Sequence, residues 1–291
     1  MILAIESTST PASASLVNEN GEILGEFFIR TELKHSQTLM QMVLSLLHCT
    51  NIDIAETDVF AVSSGPGSFT GVRIGLAAVK GMALALDKPC IPVSSLDVLA
   101  ENIYMEEGIF CACLDARCNQ VYNALYQFRN GQYRKLIEDR AVSVQSLLME
   151  LTNFDEKIVA AGDGALLLRK MAEQLAQENP EGCKKGDNAV NKTPHFYESP
   201  VRGMDGTLCA RPESCKKGGD MRKLLSFLQT APEHLLYQRA SGVALASLKN
   251  RKEVSPQELV PNYLRMPQAE RELGKTLKKR MEEKNSVENF I

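Results

Sequence analysis

Ser63-Ser64-Gly65-Pro66-Gly67-Ser68-Phe69-Thr70-Gly71-Val72-Arg73-Ile74-Gly75 joins a β-rich run, Asp58 to Ser64, to an apolar helix expected from about Val72 to Leu86. Gly65, Gly67 and Gly71 permit positive φ and close backbone approach. Amides at the start of the helix could hold an anion. Two nucleotide motifs can be tested directly. A Walker-type loop needs Lys after its last glycine, and Val72 follows Gly71. The dinucleotide fingerprint needs two residues between its second and third glycines, and Ser68, Phe69 and Thr70 make three. Neither matches, so the preferred reading of the loop Gly65-Pro66-Gly67-Ser68-Phe69-Thr70-Gly71 is a tight, closely packed connection.

Outward from the loop, strands and helices follow in a recurring order. Ile2 to Glu6, Ser13 to Asn18 and Ile23 to Arg30 read as strands, with Asn20-Gly21 as a hairpin turn. A helix from about Ser36 to Cys49 carries Leu39, Val43, Leu46 and Leu47 on one face, widened by Met40 and Leu44. Ile91 to Val93 is a strand and Ser95 to Tyr104 a helix. Phe110 to Leu114, Gln120 to Phe128 and, after Asn130-Gly131, Tyr133 to Ile137 repeat the three strands. A helix at Val144 to Leu151, a strand at Lys157 to Ala161 and a helix at Ala165 to Gln177 complete the second series. The order predicts two similar α/β lobes, each a mixed sheet flanked by helices, divided near Met105 to Gly108: residues 1–106 and 107–291. Residues of about 179–222 lack periodicity and read as an insertion. Within it a short element occurs twice, Pro180 to Gly186 and Pro212 to Gly218. A helix is expected from Pro232 to Asn250, and a charged one from Gln268 to Lys284.

The chain has 291 residues, 44% hydrophobic and 24% charged, enough apolar material for a sizeable core. Its net charge of −3 argues against binding nucleic acid by charge alone. No apolar run approaches the ~18 residues of a membrane span. Met1 to Glu6 has no basic segment of a signal peptide, so a cytoplasmic protein with reduced thiols is expected. The four histidines share no ligand spacing, and Cys183, Cys209, Cys215 and His195 fit no compact zinc pattern. No metal is expected. Cys111 and Cys113, two apart on a strand, read as core. No Gly-x-Ser-x-Gly elbow is present. Glu6, Ser7 and Thr8 at the first strand end, and Gly162, Asp163 and Gly164 in the second lobe, read either as nucleotide contacts or as plain turns. Asp115-Ala116-Arg117 reads as an internal ion pair or a site. Gly71, Gly75, Ala78 and Ala85 form a small-residue stripe, with Ala77 and Gly81 nearby. With the broad apolar face of the preceding helix, it suggests either a protein–protein surface or burial within the lobe.

At these residues a family resemblance appears. Ser64 to Gly75 resembles the signature of the TsaB family, the dimerisation subunits of the bacterial tRNA threonylcarbamoyladenosine-modifying complex. Ile2-Leu3-Ala4-Ile5-Glu6-Ser7-Thr8, His35-Ser36, Asp115-Ala116-Arg117 with Val121-Tyr122, and Pro261-Asn262-Tyr263-Leu264-Arg265 support it. The insertion has no recognised counterpart. The resemblance implies two lobes of the actin-like ATPase (RNase H-like) type. It implies a noncatalytic subunit that supports a TsaD-like catalytic subunit, with a TsaE-like ATPase joining at the junction. It also implies a homodimer when alone, tRNA contacted only through the complex, and no cofactor, any ATP or ADP sitting at the junction. The Glu6 position usually carries Asp in the family, so Glu6, Ser7, Thr8 and Gly162 to Gly164 are at most vestigial nucleotide contacts. The implied partner interface comprises Leu39, Val43, Leu46, Leu47, Gly71, Arg73, Gly75, Ala78 and Met82. On that basis Gly75→Leu or Val43→Glu is expected to abolish complex formation and leave the isolated chain folded. Two rival readings are a glycoprotease-like peptidase and a small-molecule kinase or ATPase of the same fold.

Overall fold

The computed structural model describes residues 1–178 and 220–265. Most of the expected insertion, with the repeated element and the cysteine–histidine set, and the charged helix after Gln268 lie outside the described residues. The first lobe contains β1 (Ile2–Glu6), β2 (Ala12–Val17), β3 (Ile23–Ile29), α1 (His35–Thr50), β4 (Val59–Gly65), α2 (Phe69–Leu86), β5 (Cys90–Ser94) and α3 (Ser95–Glu101). The second contains β6 (Glu107–Asp115), β7 (Gln120–Arg129), β8 (Gln132–Ser143), α4 (Val144–Leu151), β9 (Ile158–Ala161), α5 (Gly164–Glu178), α6 (Met221–Phe227) and β10 (Leu228–Thr230). Helix α7 (Ala240–Lys249) follows.

The sheets have the same plan. The first runs β3-β2-β1-β4-β5 and the second β8-β7-β6-β9-β10. In each, three strands form an antiparallel meander, and the first of them also begins a parallel set. The parallel connections run through helices, as parallel pairing requires. This is the actin-like ATPase arrangement, present twice.

Side chains alternating along β1 divide the packing. Leu3 and Ile5 enter an outer core with Leu39, Met42, Val43 and Leu46 of α1 and Val72, Leu76, Val79 and Met82 of α2. Ile2 and Ala4 enter an inner core with Val243 and Ala244 of α7. In the second sheet Ile109, Cys111 and Cys113 face α4 and α5, while Phe110, Ala112 and Leu114 face α3. Helices α3 and α7 therefore form a layer between the sheets, and α1 and α2 lie outermost. An ion pair ties this layer to the second lobe, Lys135 of β8 meeting Asp97 of α3 at 2.8 Å, and another joins its two helices, Lys249 of α7 meeting Glu101 of α3 at 2.8 Å.

Several boundaries differ from the expectations. Helix α2 begins at Phe69 rather than Val72 because the Ser68 hydroxyl accepts from Gly71 N. Helix α3 ends at Glu101. The helix expected over Pro232 to Asn250 is broken, because residues 236–239 cross between the lobes. There Leu236 O accepts from Gly162 N (2.7 Å) and the Ser13 hydroxyl accepts from Ala240 N (2.7 Å). Helix α7 then packs on the first sheet, although it follows the second-lobe strands in sequence. Asn130-Gly131 forms the expected two-residue turn, with φ of 51° and 71°. At Asn20-Gly21 the connection is longer, closed by Asn18 N donating to Glu22 O (3.0 Å). Asp220 to Arg222, read as the end of the insertion, are the cap and first turn of α6. Helix α2 is long and apolar enough, by length and composition, to cross a membrane, the only such helix among the described residues. Its inner side is core, and it carries Arg73 and Lys80.

Leu46 is 1% exposed. Leu46→Ala should cost ~2–5 kcal/mol of stability, read as an earlier urea transition in the first lobe. An unshifted transition would show that α1 does not rest on this core.

Candidate functional site

The loop after β4 closes onto the turn after β1. The Gly65–Pro66 peptide is cis, and Gly65 has φ +111°. Ser68 N donates to Thr8 O (2.7 Å), and the Ser7 hydroxyl donates to Gly71 O (2.9 Å). A Cβ on Gly71 would fall 2.1 Å from Ser7 O, and one on Gly75 2.4 Å from Ser7 Oγ. These glycines let α2 lie against its own lobe's first turn. The small-residue stripe is thus divided: Gly71 and Gly75 face inward, whereas a Cβ on Gly81 would meet nothing within 4 Å.

Glu6 lies beneath this contact, fully buried. Its carboxylate accepts from Thr8 N (2.5 Å), Thr8 Oγ1 (2.6 Å) and Ser63 Oγ. Burial raises its pKa above the ordinary glutamate value, against the lowering effect of those donors. Ser7 is equally enclosed. In the second lobe a Cβ on Gly162 would fall 2.1 Å from Cys113 O, and one on Gly164 2.9 Å from it. Asp163 Oδ1 accepts from Asp115 N (2.8 Å), and burial raises its pKa too.

A cleft of about 420 Å³ separates the lobes at this level. Of the six residues read as nucleotide contacts, only Thr8 and Asp163 line it. Glu6 and Ser7 are sealed in the turn, and Gly162 and Gly164 serve main-chain packing. The arginines on its wall are engaged: Arg117 pairs with Asp115 (3.2 Å) and Arg265 donates to Ala116 O (2.6 Å). Among the described residues no group of three or more His, Cys, Asp or Glu could hold a metal. Cys49, Cys90, Cys111, Cys113 and Cys118 are free thiols.

The expected interface residues require correction. Leu39, Val43, Leu46 and Met82 are buried in the outer core, 8% exposed at most, and Gly71 and Gly75 are buried against Ser7. Val43→Glu and Gly75→Leu would therefore damage the lobe itself. Leu47 and Ala78 are half-buried and Arg73 is exposed. What the two helices present outward is a different set: Met40 (40% exposed), Leu44 (56%) and Leu84 (52%), with Ala77 and Gly81. In the sequence Met40 and Leu44 read only as a widening of the apolar face. Periodicity finds such a face, but it does not say which part of it the sheet covers.

Two measurements follow from this geometry. Gly71→Ala should lower the unfolding midpoint through the Ser7 clash. Gly81→Ala should raise stability by ~0.5–1 kcal/mol through helix propensity alone; a rise in both would contradict the inward–outward division. The native state holds the Glu6 proton more tightly than the unfolded chain. This contribution is full below the ordinary glutamate pKa and is lost as pH rises through the raised native value. Glu6→Gln should remove that part of the stability–pH curve, and an unchanged curve would contradict it.

Comparison with known proteins agrees with the geometry. A family model described as TsaD, tRNA N6-adenosine threonylcarbamoyltransferase, matches residues 23–272. The tRNA threonylcarbamoyladenosine biosynthesis protein TsaB of Bacillus subtilis is 33% identical over 189 residues, 62% of this chain and 82% of that protein. Its Escherichia coli counterpart is 35% identical over 128 residues, 43% of this chain and 54% of that protein. The solved structure of YeaZ from Pseudomonas aeruginosa is 22% identical and shares the fold, with a TM-score of 0.60 over 90% of this chain and 99% of that one. By the extent of these matches, the chain belongs to the family that the threonylcarbamoyltransferase model describes and to the TsaB family.

Proposed function

We propose that this chain is a noncatalytic scaffold subunit in tRNA threonylcarbamoyladenosine biosynthesis, docking a TsaD-type catalytic subunit through the outer faces of α1 and α2. The observation that carries the reading is the exposure of Met40 and Leu44 on α1 and of Leu84 on α2, with open space over Gly81. These residues lie in the outermost layer, and no other described element covers them. Gly81 and Ala77 allow another backbone to approach closely, and apolar burial supplies most of the affinity. The engaged state of Glu6, Ser7, Asp163 and the cleft arginines supports a noncatalytic role, because these groups already bond one another or the main chain.

In this reading the chain holds the catalytic subunit competent to transfer threonylcarbamoyl to N6 of the adenosine beside the tRNA anticodon. The same faces pair two copies when the chain is alone. A TsaE-type ATPase joins at the junction, any ATP or ADP sits there, and tRNA is reached through the complex in the cytoplasm. The lobes divide at 106/107, with the amendment that α7 and residues 250–265 pack on the first lobe. Arg73, Leu47 and Ala78 stay in the proposed interface as its rim.

Leu44→Asp and Leu84→Asp should weaken binding to a purified TsaD-type subunit at least thirtyfold, roughly the ~2 kcal/mol of an interface hot spot. Their unfolding midpoints should match the parent's. Co-elution of Leu84→Asp with that subunit, as strong as the parent's, would overturn the proposal. So would threonylcarbamoyl transfer to tRNA by the purified chain alone.

A further inference from the structure

After α7 the chain returns along the first lobe as a strap. Val254 and Cys90 exchange main-chain bonds of 2.8 and 2.9 Å at the edge of the first sheet. Leu259, 1% exposed, anchors the strap in the outer core. Beyond it the contacts fall on the loop and first turns of α2. Asn262 N donates to Ser64 O (2.7 Å), and a Cβ on Gly65 would fall 2.7 Å from Asn262 O. The Tyr263 ring stacks on Phe69, the first residue of α2, with centroids 5.0 Å apart. Arg73 lies 3.8 Å from the Phe69 centroid and donates through Nε to Tyr263 Oη (2.9 Å).

Two residues further on, the strap reaches the second lobe. Arg265 Nη1 donates to Ala116 O at 2.6 Å. That carbonyl belongs to the tip joining β6 to β7, where Arg117, Cys118 and Asn119 have φ of +64°, +55° and +55°. Three successive non-glycine residues in the left-handed region are costly and persist only where surrounding contacts fix them. Arg265 supplies such a contact from the same short segment that clamps α2. The start of α2 and the tip of the second lobe are therefore held by one six-residue piece of chain, 260–265.

We infer that Tyr263 and Arg265 are positioning residues: the strap sets the first turns of α2, and with them the partner-facing side, against the second lobe. The inference deepens the docking reading and rests on it for the binding readout alone. Pinning by stacking and one charged hydrogen bond removes alternative orientations of α2 before a partner arrives, so less ordering remains for binding to supply.

Amide hydrogen exchange on the full chain tests this, with Tyr263→Ala, Tyr263→Phe and Arg265→Ala beside the parent. Both alanine variants should speed exchange in residues 65–75, and Arg265→Ala also in 114–120, while β1, β2 and β9 exchange as in the parent. Tyr263→Phe keeps the ring stack and should retain most of the protection. Affinity of the alanine variants for a TsaD-type subunit should fall about tenfold, within the usual range of coupling between sites, at an unchanged unfolding midpoint. A parent that binds no such subunit would defeat the docking reading, while the exchange pattern would still decide whether the strap positions α2. Unaltered exchange in 65–75, faster exchange throughout both lobes, or unaltered affinity in a system where the parent binds would each overturn the inference.

Discussion

The contact of Gly71 with the Ser7 carbonyl decides how the first lobe is used. Even a methyl group at Gly71 would meet that oxygen at 2.1 Å. Helix α2 can therefore start directly on the turn after β1, with its inner side in the outer core. In that position Ser68 and Gly71 bond Thr8 and Ser7, and the room between loop and turn is taken up by the chain's own atoms. Glu6, Ser7 and Thr8, which a ligand would need there, already bond one another, Ser63 or the main chain. The same seating aims Ala77, Gly81 and Leu84 outward.

Both sheets need cover on two faces. The inner faces share α3 and α7, and the outer face of the second sheet takes α4, α5 and α6. The outer face of the first takes α1 and α2, whose own outer sides are left without cover by the described residues. Met40 and Leu44 of α1 and Leu84 of α2 are exposed there, and the proposed docking face lies on this side. Charged groups help to hold the lobes together, as where Arg30 of the first pairs with Glu233 after the second sheet at 2.8 Å.

Much of this could be read in the sequence, for physical reasons that also mark the limits. Strand alternation and helix periodicity are local, so both series of elements were legible, and with them the duplicated lobes. The loop 63–75 was legible as a close approach, because its glycines sit where a side chain would collide. What the glycines approach was not legible: the stripe reads equally well as a helix–helix contact, and the partner proved to be Ser7. The apolar face of α1 was found, but Leu39, Val43 and Leu46 were assigned outward. A 3.6-residue period records that one side avoids water and carries no mark of whether a sheet or another protein excludes it. The return of residues 240–265 to the first lobe was hidden too, since it depends on contacts far apart in sequence, such as Val254 with Cys90 and Asn262 with Ser64.

Oxidation of methionine offers the most direct test, because the account assigns opposite environments to neighbouring residues of one helix. Met40 is 40% exposed on the outer side, and Met42 is 2% exposed in the core. With dilute peroxide and mass spectrometric readout, Met40 of the free chain should convert to sulfoxide far faster than Met42. Adding a TsaD-type subunit should slow Met40 to a rate near that of Met42. Equal oxidation of Met40 in the free chain and in a demonstrated complex would contradict the claim that α1 and α2 form the docking face.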